Sequence, residues 1–422
     1  MREIQASEFD LVVLKGKKVA VDFYSTECPP CEALAPKFDA LAALYGNDIE
    51  FVKIYRQGNR ELAEELGVKS SPTVLFYDNG KQVGEMLSGG VLRSAMQRNL
   101  DALLTAERAQ AIAKSILPVR SEYDVIVIGG GPAGLAAGIY LGQAKLKTCI
   151  IDTQLPGGQV GVSHQISNYP GFVEPIPGYM LAHYMGEQAK HNGVDMKLAV
   201  EVNSVNLDSK EVVIDGYETV VAKRIVIANG ASPRYLGIPG ERELKGKGIS
   251  YCATCDGKYY QDREVVVVGG GNSAVEEAEF IAKFASKITL IHQFDQLTAN
   301  KEAQEKLLSN PKVSVLYSSE PRSFAQSGSK MELQYEDLKT KEVKKLITDG
   351  VFIFVGMKPN AELYNGMLKT NDWGYILTDE DCRTNISGVF AAGDIISKKY
   401  RQITTAVADG TIAAMAISKE LM

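Results

Sequence analysis

Short, continuous apolar runs mark two places in the chain beyond residue 120. The runs at 124–128 (DVIVI) and 265–268 (VVVV) are each followed by a Gly-rich turn, a helical pattern and a further apolar run, at 147–151 and 287–291. Continuous apolar runs are typical of parallel strands that are buried on both faces. The pattern therefore predicts two βαβ units.

The N-terminal part of the chain shows a different order of elements. Buried strands are predicted at 18–24, 51–55 and 73–77, and the apolar residues between Cys31 and Leu44 have helical spacing. The tripeptide Asp78-Asn79-Gly80 is a hairpin turn signal. These elements predict a small α/β domain.

The length of the chain requires several cores, because 422 residues exceed what one ordinary domain holds. We place the small domain at 1–105. A stretch rich in Ala, Lys and Arg follows and ends near Pro118. We interpret 106–121 as a helical linker that lets the small domain move as a unit.

Composition narrows the class of protein. A hydrophobic content of 45% and a charged content of 23% are those of a globular protein, and a net charge of −6 argues against nucleic-acid binding. The opening residues MREIQ have no apolar signal segment, and no apolar run reaches the roughly 18 residues of a membrane span. We expect a cytoplasmic protein without a membrane or nucleic-acid partner.

Four of the six cysteines form two Cys-x-x-Cys pairs, Cys28/Cys31 and Cys252/Cys255. In a reducing compartment such pairs are catalytic or bind metal. Zinc pairs usually lie about 15–20 residues apart, and these pairs lie in different predicted domains, so we expect redox pairs and no metal. Cys149 and Cys382 are interpreted as packing residues.

The first pair lies where a strand meets a helix. Unpaired N–H groups and the helix dipole favour a thiolate there, so we expect Cys28 to be the nucleophile and Cys31 the resolving thiol. Residues 1–105 resemble thioredoxin, because a strand, a Cys-x-x-Cys pair and a helix are followed by a Pro that precedes another strand. The resemblance implies that Asp22 is the buried acid near the resolving thiol, Lys53 its partner and Pro72 the cis-proline.

The resemblance to thioredoxin has two departures. Glu27 precedes the first Cys in place of an aromatic residue, and Pro29-Pro30 separate the cysteines in place of Gly-Pro. A negative charge beside the nucleophile disfavours the thiolate, so we expect altered partner choice but retained dithiol–disulfide exchange. A docking domain without redox activity is the alternative.

Each βαβ unit carries a dinucleotide fingerprint. The first unit has the expected order and spacing: a strand, the glycines, a helix and a second strand that ends at Asp152. The pyrophosphate can therefore reach a helix N-terminus, and Asp152 can bind a ribose. The second unit repeats the glycines. We therefore expect two dinucleotides, one permanently bound and one exchanging. The fingerprint residues are Gly129, Gly131, Pro132, Ala133 and Gly134, then Gly269, Gly271, Asn272, Ser273 and Ala274.

From Tyr123 to the C-terminus the chain resembles the low-molecular-weight thioredoxin reductases. The motifs that carry the resemblance are GGQ at 157–159, NYPG at 168–171, CATCDG at 252–257, GVFAAGD at 388–394 and YRQ at 400–402. The resemblance implies FAD on the first fingerprint and a nicotinamide on the second. Further cofactor-binding residues implied are Gly158, Gln159, Asn168, Gly356, Gly393, Asp394, Arg401 and Gln402.

The resemblance also assigns the second cysteine pair and the domain order. Cys255 would face the isoalloxazine ring, Cys252 would be the interchange thiol and Asp256 the general acid that protonates the leaving thiolate. The fold expected is α/β: a thioredoxin fold followed by two nested Rossmann-like domains. The first FAD segment would span 122–234, the nicotinamide and Cys-x-x-Cys domain 235–362, and the second FAD segment 363–422, in a homodimer.

The nicotinamide site departs from that family. The family carries three arginines after the second strand, and this chain has Gln293, Phe294 and Thr298 instead, with Asp295 nearby. A 2′-phosphate needs cationic donors, so we expect NADH rather than NADPH, with His292 or Gln293 bonding the ribose diol. A reduced ferredoxin or another donor is the alternative.

The order of domains resembles the flavoprotein subunit of alkyl hydroperoxide reductase, although residues 1–105 hold a single thioredoxin-like fold rather than a double one. We expect a tethered shuttle, with electrons running from NADH through FAD and Cys255/Cys252 to Cys28/Cys31 and on to a protein disulfide such as a thioredoxin or peroxiredoxin. In the alternative, the small domain only docks a separate thioredoxin or peroxiredoxin.

Overall fold

A computed structural model describes residues 1–26, 28–161, 163, 166, 168–364 and 366–421, and for residues 254 and 255 it describes the backbone alone. It contains an N-terminal module, a linker helix and two dinucleotide domains, the second inserted into the first.

The N-terminal module is a five-stranded sheet with helices on both faces. The strand order is β1-β3-β2-β4-β5, with β3 parallel and β4 antiparallel to β2. Alternate residues of β2 enter opposite cores, Ala20 beside Phe38 and Val21 among the residues of the other face. The elements are β1 (Arg2–Glu3), α1 (Ala6–Phe9), β2 (Lys18–Tyr24), α2 (Pro29–Tyr45), β3 (Glu50–Tyr55), α3 (Arg60–Glu65), β4 (Thr73–Asp78), β5 (Lys81–Ser88) and α4 (Arg93–Ala102).

The linker contains α5 (Ala106–Ser115), which the Thr105 side chain caps by accepting from the Arg108 N–H. Its Ile112 is buried in the core of the N-terminal module, and Arg108 forms an ion pair with Asp48 (2.7 Å). The linker helix therefore belongs structurally to the module that precedes it.

The first dinucleotide domain is built around a seven-stranded sheet of order β8-β7-β6-β11-β10-β9, in which β22 pairs with the C-terminal end of β11 on the edge that β10 uses further back. Strand β22 and helix α11 follow the second domain in the sequence, so the second domain is inserted into the first. Helix α11 packs against α6. The elements are β6 (Val119–Ile128), α6 (Pro132–Gln143), β7 (Thr148–Ile151), α7 (Gly178–His191), β8 (Asp195–Lys197), β9 (Val202–Asn206), β10 (Glu211–Ile214), β11 (Glu218–Ile227) and, after the second domain, β22 (Val389–Ala391) and α11 (Ile403–Leu421).

The second dinucleotide domain has a parallel sheet of order β13-β20-β14-β15-β16 and an antiparallel sheet β17-β18-β19. Strands β12 and β21 pair with each other at the connection between the two dinucleotide domains. The elements are β12 (Ala231–Pro233), β13 (Ile249–Ser250), α8 (Ala253–Asp256), β14 (Glu264–Val268), α9 (Asn272–Ile281), β15 (Lys287–Ile291), α10 (Lys301–Leu308), β16 (Val313–Leu316), β17 (Ser319–Ser327), β18 (Lys330–Asp337), β19 (Val343–Thr348), β20 (Gly350–Ile353) and β21 (Met357–Pro359).

Within the described residues, no helix has both the length and the apolar character needed to cross a membrane.

Candidate functional site

The first cysteine pair forms a disulfide between Cys28 and Cys31 at the start of α2. Cys28 is the N-cap residue, and its sulfur accepts a hydrogen bond from the Cys31 N–H (3.3 Å). The peptide bond between Ser71 and Pro72 is cis, and the Ser71 carbonyl oxygen lies 3.5 Å from the Cys28 sulfur. The cis bond that precedes Pro72 therefore lies next to the redox pair. Glu27 lies outside the described residues.

Asp22 lies behind this pair on β2, only 3% exposed, and its Oδ1 has no hydrogen-bond partner. Burial raises the pKa of Asp22 to about 7, while the charge of Lys53 opposes that rise. Lys53 is the cross-strand neighbour of Asp22 on β3, but its ion pair is made with Asp39 (3.7 Å). A carboxyl with such a pKa can take up and release a proton near neutral pH.

The second pair lies between β13 and α8. Cys252 is held in a disulfide, its N–H donates to the Ser250 hydroxyl oxygen (3.1 Å), and its carbonyl accepts from the Asp256 N–H (3.2 Å). The Cys255 side chain lies outside what is described. Asp256 ends α8, one turn from Cys252, which is compatible with the general-acid role expected of it.

A buried carboxylate that the sequence analysis missed fixes the segment before Cys252. Glu241 is fully buried and accepts from the Leu236 and Gly237 N–H groups (2.9 and 2.6 Å) and from the Tyr251 hydroxyl (2.6 Å). Such charge-assisted bonds hold Tyr251, the neighbour of Cys252, in one position. No motif could have revealed Glu241, because a Glu after Pro-Gly is usually an exposed turn residue.

The first fingerprint forms a close-packed turn between β6 and α6. A Cβ at Gly134 would lie 1.8 Å from the Gly129 carbonyl oxygen, so only glycine lets the helix start there. The Gly130 N–H donates to Asp152 Oδ2 (2.5 Å). Burial raises the pKa of Asp152, while hydrogen bonds from backbone N–H groups oppose the rise.

The C-terminal segment brings further predicted residues to the same turn. A Cβ at Gly393 would lie 2.8 Å from the Ala133 side chain, so the Gly393-Asp394 turn packs on the start of α6. Asp394 Oδ1 is buried, lies 3.6 Å from Lys398 Nζ and accepts no hydrogen bond from the described residues, so it can accept one from a bound hydroxyl group. Arg401 donates to the Asp394 carbonyl oxygen (3.5 Å) and stacks over the Tyr375 ring.

Other predicted FAD residues also lie at this edge of the sheet. The Asn168 side-chain amide donates to the Gln402 amide oxygen (3.2 Å), although these residues are far apart in sequence. The Gly157 N–H donates to the Gly130 carbonyl (2.7 Å), which places Gly158 beside Gly131 and starts the turn that contains Gln159. The residues present therefore fit a bound FAD.

The second fingerprint lines a cavity of about 390 Å³, the nucleotide cavity, between β14, β15 and the start of β17. His292 is buried, and its ring packs on Gly270, where a Cβ would lie 2.4 Å from the imidazole. Burial lowers the pKa of His292, and a hydrogen bond with the Gln296 backbone opposes this. The described residues that line the cavity are Leu236, Val268, Gly269, Gly270, Gly271, Asn272, Ser273, Ala274, Ile291, His292, Gln293, Phe294, Thr298, Ser319, Glu320, Pro321, Phe354, Val355 and Gly356.

The N-terminal module contacts the first dinucleotide domain through a buried lysine and a more exposed ion pair. Lys37 Nζ donates to the Val91 carbonyl of its own module (3.2 Å) and to the Ala199 carbonyl of the other domain (2.5 Å). Lys190 forms an ion pair with Glu32 (2.7 Å). We refer to these residues, Glu32, Lys37, Lys190 and Ala199, as the module contact.

A groove of about 1050 Å³ lies next to the module contact. Pro29 and Pro30, which separate the two cysteines, line it on one side, and Pro156, Met180 and His183 line it on the other. In this arrangement the redox end of α2 faces the first dinucleotide domain.

The two remaining cysteines are buried. Burial raises the pKa of both the Cys149 and the Cys382 thiol to about 12. Thiols with such pKa values are poor nucleophiles, which agrees with their interpretation as packing residues.

Two known protein families match the two parts of this chain. A family model described as pyridine nucleotide-disulphide oxidoreductase matches residues 123–410, and a thioredoxin model matches residues 1–102. The chain belongs to the pyridine nucleotide-disulphide oxidoreductase family, which implies FAD and a nicotinamide cofactor. Within that family it is a thioredoxin-reductase-like flavoprotein disulfide reductase with a fused thioredoxin domain.

Individual relatives of this chain are thioredoxin reductases. That of Peptoclostridium acidaminophilum is 44% identical over 304 residues, which cover 70% of this chain and 96% of the relative. That of Bacillus subtilis is 42% identical over 298 residues, which cover 70% of this chain and 93% of the relative. The solved thioredoxin reductase of Lactococcus lactis, in its FR conformation, matches with a TM-score of 0.65 at 39% identity, covering 70% of this chain and 98% of its own. The expected thioredoxin fold and dinucleotide domains are confirmed.

Proposed function

We propose that this reductase takes its electrons from NADH. The observation that carries the proposal is the lining of the nucleotide cavity, where the described residues include no Lys and no Arg. A 2′-phosphate left without cationic partners would lose charge-assisted hydrogen bonds of about 1.5–3 kcal/mol each. The ribose diol of NADH needs only neutral acceptors and donors.

Bound FAD would supply the two-electron relay between the nicotinamide and the core disulfide. The first fingerprint, Asp152 and Asp394 would hold it. The Gly393 turn would help to orient it, because its backbone packs closely on Ala133 at the start of α6.

We infer that the reduced core dithiol passes its electrons to the fused module. The Cys252 thiolate would attack the Cys28–Cys31 disulfide, forming a Cys252–sulfur bond as the old S–S bond breaks. The Cys255 thiolate would then displace that sulfur, which leaves Cys252 and Cys255 oxidised and Cys28 and Cys31 reduced. Asp256 would donate the proton to the leaving thiolate.

The module would next reduce the disulfide of another protein. Asp22, with its pKa raised to about 7, can accept or return the proton that dithiol exchange requires near neutral pH. The tether would keep the module at a high effective concentration, about millimolar for a short linker. A thioredoxin or a peroxiredoxin-like protein is the acceptor class we expect, and a cytoplasmic homodimer remains a prediction.

A second candidate function is docking without relay, which the module contact favours because it holds the redox end of α2 against the first dinucleotide domain. Replacing Cys28 by Ser separates the two functions. A relay predicts that reduction of a protein disulfide stops in Cys28→Ser while flavin reduction persists. Docking predicts that reduction of an added thioredoxin survives.

The donor is tested by anaerobic titration of the purified flavoprotein with NADH, with NADPH in parallel, following the flavin absorbance. We expect NADH to bleach the flavin at near-stoichiometric amounts and NADPH to need a large excess. Preferential bleaching by NADPH would contradict the proposal, and failure of both nicotinamides would point to a donor such as reduced ferredoxin.

A further inference from the structure

The nucleotide cavity contains a carboxylate at a place where the sequence pattern gave no reason to look. In the usual dinucleotide fold, the acid that binds the adenosine ribose ends the second strand of the unit. Here β15 ends at Ile291, and the next two residues are His292 and Gln293. The acid on the cavity wall is Glu320, at the start of β17.

Backbone hydrogen bonds bring the start of β17 to the strand end where the ribose acid is expected. The Ser319 N–H donates to the His292 carbonyl (2.9 Å), and the Ser318 N–H donates to the Phe294 carbonyl (2.9 Å). Glu320 follows directly and therefore lies beside the segment from His292 to Phe294. Its side chain is 38% exposed, so it remains open to the cavity and to solvent.

His292 cannot discriminate against a phosphate, because burial lowers its pKa and the ring carries no negative charge. The ring is buried against Gly270 and hydrogen-bonded to the Gln296 backbone, and its Nε2 has no partner among the described residues. Gln293 and Phe294 are exposed at the rim. Among the described residues that line the cavity, Glu320 is the one carboxylate.

The nearest arginine along β17 is held away from the cavity. Arg322 binds Glu320 through Nη1 (2.8 Å) and Glu336 through Nη2 (2.8 Å), and it is not among the residues that line the cavity. Two carboxylates therefore share this guanidinium. The pair also fixes the Glu320 side chain, because an Arg–carboxylate bond is directional.

We propose that Glu320 selects the nicotinamide donor: it accepts a hydrogen bond from the adenosine ribose of NADH and repels the 2′-phosphate of NADPH. The inference rests on the proposed NADH function and names the residue that enforces it. A carboxylate is a strong acceptor for a hydroxyl group, and it opposes a phosphate of the same sign. Arg322, held by Glu336 as well, offsets only part of the Glu320 charge.

The test compares full-length wild type with Glu320→Gln and with Glu332→Gln as a matched control. Glu332 lies on β18 of the same small sheet, is paired with Lys345 (2.9 Å) and does not line the cavity. Rates of anaerobic flavin reduction are measured against NADH and NADPH concentration. The affinities of 5′-AMP and 2′,5′-ADP as competitors are measured in the same samples.

We expect Glu320→Gln to lower the preference for NADH over NADPH by about tenfold or more, as loss of one like-charge contact and one charge-assisted bond implies. The nicotinamide concentration needed for half-maximal flavin reduction should change, and the limiting rate of flavin reduction at saturating nicotinamide should not. The affinity for 2′,5′-ADP should rise while that for 5′-AMP stays level or falls, and Glu332→Gln should match wild type.

The outcomes separate this inference from the function on which it rests. If wild type is reduced by NADH but Glu320→Gln keeps the same preference and the same 2′,5′-ADP affinity, the role of Glu320 is wrong and NADH remains the donor. If wild type is reduced by NADPH in preference to NADH, or by neither, both the donor and the role of Glu320 are wrong.

Discussion

At the scale of single residues, the fold buries charged side chains that include Asp22, Lys37 and Glu241. The resemblance to thioredoxin singled out Asp22, and the dinucleotide fingerprint singled out Asp152, which accepts a hydrogen bond from the Gly130 N–H. Glu241 and Lys37 belong to no motif, and a charged residue in a loop or on a helix is usually solvated, so the sequence analysis did not single them out. Lys37 also depends on a partner far away in the chain, the Ala199 carbonyl.

The buried Asp22 makes the stability of the N-terminal module depend on pH. Its pKa is about 7 in the fold and about 4 when unfolded, so the folded state binds more protons between these values and stability falls as pH rises through that window. Above pH 7 the buried charge costs up to about 4 kcal/mol, at 1.36 kcal/mol for each pKa unit. Asp22→Asn should therefore be more stable than wild type at pH 8 and about equal at pH 4.

Urea unfolding of the full chain, followed by circular dichroism across pH 4 to 8, measures this effect. Asp10→Asn is the control, because Asp10 is exposed and is not among the charges that act on Asp22. If Asp22→Asn and wild type lost stability in parallel over this range, the Asp22 carboxyl would not be the group that titrates.

At the scale of elements, strands with continuous apolar runs were predicted well and short or alternating strands were not. The predicted strands 18–24 and 287–291 have the bounds of β2 and β15. The helical pattern after the second Gly-rich turn is α9, which begins at Asn272, directly after the fingerprint glycines. The sheet β17-β18-β19 and the pair β12-β21 were missed. Their strands mix polar and apolar residues or span three residues, so their pairing depends on tertiary contacts.

Two fingerprint glycines, Gly131 at the N-cap of α6 and Gly134 in its first turn, should fail in different ways when replaced. A Cβ at Gly134 would meet the Gly129 carbonyl, whereas a Cβ at Gly131 meets nothing within 4 Å. We expect Gly134→Ala to lower the stability of the flavin-free protein by about 1–3 kcal/mol, the usual cost of overpacking. Gly131→Ala should leave that stability unchanged but weaken FAD binding, because its Cβ would point at the space needed for the pyrophosphate.

Thermal unfolding of flavin-depleted protein and the flavin-to-chain ratio after reconstitution distinguish the two glycine variants. Equal melting temperatures for Gly134→Ala and wild type would mean that the turn can relax around the added methyl group. A full flavin content in Gly131→Ala would mean that this glycine is not needed for cofactor approach.

At the scale of the whole molecule, the module contact could not be predicted from sequence, since it joins a lysine on α2 to a backbone carbonyl. Ala199, which supplies that carbonyl, has a positive φ of 51°, a conformation that a non-glycine residue adopts at a cost. Arg93 adds to the contact by stacking over the Tyr217 ring. The described contacts between the module and the first dinucleotide domain thus include a buried lysine, an ion pair and a cation–π contact.

Docking of the module should strengthen as pH rises from about 8 to 10. Burial lowers the pKa of Lys37 to about 8, although Asp215 and Glu201 oppose this, whereas a released Lys37 has an ordinary pKa near 10.4. The released state therefore binds more protons in this window, and raising the pH favours the docked state.

The radius of gyration from small-angle scattering measures this docking. It should fall between pH 8 and 10 in wild type and in Lys81→Met, an exposed control, but not in Lys37→Met. A pH dependence that survives in Lys37→Met would assign it to other groups, and a constant radius in wild type would mean that the module does not leave its contact.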